Sequence, residues 1–329
     1  NKDVKPMNQS VLGRFKMTVH QQKLGVYGIK VENKKGESMS YRWRSDDLVC
    51  LHSGSKTFTA IGIGLCIDEG KCTLDQKILD FFPEYKACAA AGSEDITIRD
   101  LLHMASGKLE FWFAGSEEEI HSKDWAELFF KTPVTEKPGT SFYYSNGCTY
   151  MIGRIIEKIS GENVKDFLTK RLFTPLDIWN PQWHTCPNGH TLAATGLYLT
   201  TDQYSRLGKL LLNKGIYEGK RIISESYIEK AICDRIGTKN YNQVDPEAAS
   251  GYSYQLWKCS YEDAYRAEGM YGQFCIVIPS KEIVVTVTAH EEKNANDIVR
   301  AIFRDIVEPL SFESGDLVTL TNINTSDKV

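Results

Sequence analysis

Ser53 and Lys56 stand three residues apart in Leu51-His52-Ser53-Gly54-Ser55-Lys56-Thr57-Phe58, at the point where a long apolar run begins. On a helix that spacing places both side chains on one face, a turn apart, and brings an amine within hydrogen-bond reach of a hydroxyl. A serine is a weak nucleophile near neutral pH, but a lysine desolvated against an apolar helix gives up its proton more readily and can act as its base. The helix N-terminus adds a dipole that favours a developing anion. Two fixed letters are modest evidence alone, since S-x-x-K arises by chance on the order of once in a chain this long. A second group is Phe142-Tyr143-Tyr144-Ser145-Asn146-Gly147, after the turn Lys137-Pro138-Gly139-Thr140. Tyr144, on a loop entering a helix, is placed to reach a crevice as a proton carrier. A phenol beside a cation ionises more easily, and the Asn146 amide can orient neighbouring groups. The third segment, Glu268-Gly269-Met270-Tyr271-Gly272-Gln273-Phe274, sets two glycines before an apolar strand, where backbone approaches a ligand closely and an N–H can face a reacting centre. Each segment also has a plain structural reading, as a helix start, an aromatic staple or a turn.

These three segments are far apart in the chain, so the fold must bring them together. Residues 25–31 alternate and are rich in β-branched side chains, and a turn at Asn33–Gly36 leads into Met39–Trp43, predicting an early antiparallel hairpin. From Ser53 to Glu69 the pattern is helical and apolar almost all round, as expected of a helix buried on most sides. Between about 75 and 195 the helical period dominates, with starts at Thr97 and Asp124 and the clearest stripe at Met151, Ile152, Ile155, Ile156 and Ile159, closed by Gly161. A helix over Gln203–Leu212 precedes a hairpin of central strands, 274–278 and 283–288, and a last amphipathic helix carries Ile298, Ala301, Ile302 and Ile306. The expected fold is α/β: an antiparallel sheet built from both chain ends and flanked by helices, with an inserted all-helical domain. The sandwich takes residues 1–75 and 196–329, the insert residues 76–195, and residues 314–329 form a polar tail. The site is expected in the crevice between sheet and insert.

Composition narrows the function classes. The 329 residues carry 39 Lys plus Arg against 43 Asp plus Glu, a net charge of −4, which gives no electrostatic reason to bind nucleic acid. Nine cysteines, an odd number without any C-x-x-C pair, read as free thiols in a reducing compartment and offer no zinc spacing. A cytoplasmic location is expected, or a periplasmic or secreted one if an N-terminal signal was removed. No apolar run reaches membrane-spanning length, the helix after Thr57 being broken by Asp68 and Glu69. Gly62-Ile63-Gly64 lacks the third glycine and preceding strand of a dinucleotide site, and Leu51 occupies the first glycine position of a G-x-S-x-G elbow. No cofactor or metal is expected.

Taken together, the sequence resembles the penicillin-recognising serine hydrolases, in the branch that holds class C-like β-lactamases, DD-peptidases and many esterases and amidases. The likeness spans roughly residues 10–310. Beside Ser53-x-x-Lys56 and Tyr144-x-Asn146 it rests on Ile67-Asp68-Glu69-Gly70, Leu74-Asp75, Phe82-Pro83-Glu84, Ile98-x-x-x-Leu101-Leu102-His103-Met104-Ala105-Ser106-Gly107, Pro175-Leu176 and Gly196-Leu197-Tyr198-Leu199-Thr200. The resemblance implies an α/β sandwich with a helical insert and an acyl-enzyme on Ser53, with Lys56 and Tyr144 sharing the proton traffic. It implies an oxyanion hole from the backbone N–H groups of Ser53 and Met270, and substrate contacts from Asn146, Trp112, Gly269, Tyr271, Gly272 and Gln273. The aromatics Phe111, Trp112, Phe113, Trp183 and Tyr271 are candidates to line a pocket, whereas His103 lies in a helical motif and reads as structural.

One motif departs from the family. Antibiotic-handling members carry Lys or His, then Thr or Ser, then Gly on the strand edging the site; here Glu268–Gln273 holds no cation and looks like the Gly-x-x-Gly-Gln form of esterases and amide hydrolases. A substrate carboxylate would lose a charge-assisted contact, ~1.5–3 kcal/mol, and meet Glu268 instead. The expected activity is hydrolysis of a small-molecule ester or amide. The alternatives are a β-lactamase or DD-peptidase, and a non-turnover acyl-binding or sensor domain of the same fold. The sequence leaves the oligomeric state open.

Overall fold

The computed structural model describes residues 11–110, 122–313 and 316–319. Phe111, Trp112 and Phe113 lie outside the described residues, as does most of the expected tail. Six strands form the main sheet: β1 (Val26–Asn33), β2 (Ser38–Arg42), β3 (Trp257–Lys258), β4 (Tyr265–Gly269), β5 (Gln273–Ile278) and β6 (Ile283–Ala289), in the spatial order β2-β1-β6-β5-β4-β3. Every neighbouring pair is antiparallel. Both expected hairpins form, and the junction between chain ends is β1 on β6, with Val31 opposite Val285. Every residue of β5 and β6 is buried, which explains why both read as continuous apolar runs without polar alternation.

The two-residue period of a strand sends β5 into two cores. Phe274, Ile276 and Ile278 join Ile29, Val31 and Val285 under helices α1 (Val11–Gln22) and α5 (Ala295–Ile302), whose Phe15 and Ile298 complete that layer. Cys275 and Val277 face the opposite way, into a larger core shared with α2 (Ser55–Asp68), α3 (Asn146–Ser160) and α4 (Thr201–Leu212). The expected helix starts at Thr97 and Asp124 are N-caps, their side chains accepting from the Asp100 and Glu127 N–H groups. Gly161 ends α3 in the left-handed conformation at φ 74°.

One expectation needs correction. The stretch 76–195 is not all-helical: Gln182–Trp183 pairs with Leu197–Leu199, which also pairs with Val49–Cys50. The Trp183 indole N–H donates to the Thr195 carbonyl at 2.9 Å, closing a hairpin too short to show a period. Strands β3 and β4 also escape a reading by hydrophobic pattern, because β4 carries Arg266 and Glu268, which pair with each other at 2.9 Å. Among the described residues, no helix is long and apolar enough to cross a membrane.

Candidate active site

Ser53 lies in a 3-10 turn, His52–Gly54, that runs directly into α2. This turn is fixed from two sides. The Leu51 N–H donates to the Leu197 carbonyl at 2.8 Å, and the Leu197 N–H donates to the Ser55 hydroxyl at 3.1 Å. From the other side the end of β4 closes in: a Cβ on Gly269 would stand 1.9 Å from the Leu51 carbonyl oxygen and 3.0 Å from the Gly54 nitrogen, so only glycine permits this approach.

Lys56, the second residue of α2, is wholly buried. Its Nζ lies 2.9 Å from Ser53 Oγ, 2.6 Å from Asn146 Oδ1 and 3.0 Å from the Ala194 carbonyl oxygen. Among the described residues no carboxylate is paired with it, and burial pulls its pKa down from 10.5 to about 7. The two carbonyl oxygens accept two of the amine protons, so in the neutral form the lone pair is left for the Ser53 hydroxyl. Tyr144, two residues before α3, has its ring centroid 4.9 Å from Lys56 Nζ and its phenol in hydrogen-bond contact with Ser53. Two distant segments thus meet at one hydroxyl, while the third, at Gly269, closes on the turn that carries it. Burial raises the Tyr144 pKa above its usual 10, and the Glu268 charge adds to the rise. This reverses the expected easing of its ionisation: the neighbouring amine has itself been desolvated, so it cannot act as the full positive charge that reading required.

Met270 follows β4 in a tight turn with Tyr271 at φ 68° and Gly272 at φ 95°. The Gln273 amide holds this turn, Nε2 donating to the Met270 and Ala289 carbonyls at 3.2 and 2.5 Å while Oε1 accepts from the Ala289 N–H at 3.1 Å. The Met270 N–H meets no acceptor among the described residues. Gln273 is therefore corrected from a substrate contact to a buried clamp on the turn, because its amide is taken up by main chain. Gly272 likewise does not line the cleft, and Asn146 is turned to Lys56 instead; Gly269 and Tyr271 do line it. Trp112 lies outside the described residues.

The cleft over Ser53 has a volume of about 490 Å³. Besides Ser53, Tyr144, Gly269, Met270 and Tyr271 it is lined by Tyr241, Trp257, Glu268, Glu291, Glu292 and Lys293. Tyr241 and Trp257, missed from sequence, come from a loop and a two-residue edge strand with no recognisable spacing. His103 bonds the Asp234 carbonyl at 2.8 Å, consistent with a structural role. Trp183 is packed in the core rather than at the mouth. Among the described residues no cluster of three or more His, Cys, Asp or Glu is placed to hold a metal.

Fold and site together define an α/β protein organised around a serine with a buried lysine beside it. The chain belongs to the β-lactamase family, whose model matches residues 13–307. It is 23% identical to the 6-aminohexanoate-dimer hydrolase of Paenarthrobacter ureafaciens over 73% of this chain and 65% of that protein. To the lovastatin esterase of Penicillium rubens it is 28% identical over 42% of this chain and 40% of that protein. These alignments span less than two thirds of either relative. Among solved structures, EstCE1, described as a hydrolase with promiscuous acyltransferase activity, superposes with a TM-score of 0.74 at 16% identity, covering 91% of this chain and 98% of that one; at that identity the likeness speaks for the fold.

Proposed function

We propose that the protein is a serine hydrolase that cleaves a small-molecule ester or amide through an acyl-enzyme on Ser53. The observation that carries this reading is the 2.9 Å contact between Ser53 Oγ and the Nζ of a buried lysine with no acidic partner among the described residues. Neutral Lys56 takes the hydroxyl proton as Oγ attacks the carbonyl carbon, and the oxyanion meets the N–H groups of Ser53 and Met270; one such donor is worth roughly 10²–10³ in rate. Tyr144, protonated at neutral pH, passes a proton to the leaving group and is recharged from the Lys56 ammonium. A water then attacks the acyl carbon and gives its proton to the same pair, which passes a proton to Ser53 Oγ as the acid leaves. The opposite pKa directions of amine and phenol support this division of base and acid.

Ester or amide substrates are favoured over β-lactams and D-Ala-D-Ala peptides because Glu268 lines the cleft and the strand entering it carries no free cation, Arg266 being fully buried. Relatives that include a 6-aminohexanoate-dimer hydrolase and a lovastatin esterase support hydrolase activity at family level. We read residues 76–195 as an insert in a sandwich of 1–75 with 196–329, and the nine unpaired thiols favour a reducing, cytoplasmic setting. Intact-mass analysis after a fluorophosphonate probe should show one adduct, absent from Ser53→Ala, and short-chain nitrophenyl esters should turn over faster than a chromogenic cephalosporin or D-amino-acid amides. An unlabelled Ser53 would sink the mechanism. One stoichiometric burst without turnover would instead identify an acyl-binding domain.

A further inference from the structure

Three rings and one carboxylate share the wall of the cleft beside Ser53. The ring centroids of Tyr144, Tyr241 and Trp257 lie 5.9–6.5 Å apart, and all three line the cavity with Glu268. The charge of Glu268 is felt by both tyrosines, raising their pKa values. Behind it Arg266, fully buried, donates from Nε to Glu268 Oε1 at 2.9 Å and lies 3.5 Å from the Glu247 carboxylate. One guanidinium therefore serves two carboxylates. Glu247 is buried too, so Glu268 is the member of the three that reaches the cleft. The remaining charged groups on the lining are Glu291, Glu292 and Lys293, which add no positive excess. Glu291 is turned to the N–H groups of Gly25, Lys293 and Asn294, and Glu292 pairs with His290, so neither competes with Glu268 for a ligand at the rings.

Aromatic faces and an adjoining carboxylate are what a cationic amine seeks: the ring quadrupoles attract it and the anion balances it, while a carboxylate ligand is rejected. We propose that the substrate carries an ammonium or quaternary ammonium group, seated against Tyr144, Tyr241 and Trp257 and balanced by Glu268, within a few bonds of the ester or amide cleaved at Ser53. This rests on the acyl-enzyme reading above and names its substrate class. It makes Glu268 a specificity residue on the strand edging the site, where it selects for positive rather than negative charge.

The test compares three nitrophenyl esters of equal acyl length, ending in trimethylammonium, tert-butyl and carboxylate. The cationic ester should exceed the neutral one in kcat/KM by on the order of tenfold or more, with the anionic ester slowest, and Glu268→Gln should collapse that ranking. An equal rate for the cationic and neutral esters in the wild type, or a ranking unchanged in Glu268→Gln, overturns the proposal. Binding of an alkyltrimethylammonium ion to Ser53→Ala, measured by calorimetry, is read independently of turnover. Affinity at least tenfold above that of the neutral tert-butyl analogue, lost in Ser53→Ala/Glu268→Gln, supports the cation site even if no ester is hydrolysed; equal affinities overturn it. Failure of Ser53 to take the fluorophosphonate strikes the acyl-enzyme reading alone, whereas normal labelling without a charge preference strikes the cation site alone.

Discussion

Lys56 and Lys108 are two buried amines with no acid beside them among the described residues, and their surroundings assign them different work. Lys108 Nζ is held by Ser93 Oγ and the carbonyls of Phe130 and Thr132 at 2.9, 3.2 and 2.6 Å, away from the cleft lining, whereas Lys56 offers its third position to Ser53. Burial lowers both pKa values to about 7. If neutral Lys56 is the base, ester kcat/KM should climb with pH and level off above about 7, the value belonging to the Lys56–Tyr144 pair as a unit. A flat profile from pH 5 to 9 would remove the amine from the mechanism. Lys56→Met should lose roughly 10²–10⁴ in rate while remaining folded. For Lys108 the consequence is stability. Its folded pKa lies below its unfolded value near 10.5, so the folded state holds fewer protons between about 7 and 10.5. The penalty for burying the charge is full below 7 and fades as pH rises through that window. The melting temperature of the wild type should therefore gain on that of Lys108→Met from pH 7 to 9.5, with a limiting slope of about 1.4 kcal/mol per pH unit; a constant difference would contradict the low pKa.

At the scale of elements, the site depends on how closely the end of β4 approaches the turn before α2. Gly269→Ala forces a methyl group into the Leu51 carbonyl and must push the strand away, which is expected to cost about 1–3 kcal/mol and a larger share of activity than of stability. The measurement is kcat/KM beside the melting temperature; unchanged activity would mean that the approach is not needed. Gln273→Ala removes three main-chain bonds, one to Met270 and two to Ala289, leaving buried partners unpaired at a cost of about 1–3 kcal/mol. If its task is to aim the Met270 N–H, kcat should fall more than KM rises.

At the scale of the whole molecule, the sheet is sealed by residues more than 250 positions apart, and Thr18 donates to Asp305 at 2.6 Å to tie α1 to the chain after α5. Val31 and Val285 are direct partners in the β1–β6 ladder, both fully buried. Val31→Ala and Val285→Ala should each cost about 1–3 kcal/mol, and a double-mutant cycle should show a coupling of about 0.5–1 kcal/mol. Strict additivity would indicate that the chain ends are not joined at this pair.

Where residue type and spacing act locally, the sequence was sufficient. Ser53 and Lys56 meet because a helix brings positions three apart together, and the hairpins and helix caps follow from local pattern in the same way. The family and the α/β layers with an antiparallel sheet were legible because many short motifs recur in order. Gln273, Tyr241 and Trp257 were not legible in their observed places, since a polar side chain clamping main chain and an aromatic on an edge strand leave no period. The apolar run after Ser53 already pointed Lys56 toward the neutral amine, but the state of Tyr144 was decided only in three dimensions: desolvation depends on the whole surround of a group, and it turned Tyr144 toward the neutral phenol, which no spacing of letters encodes.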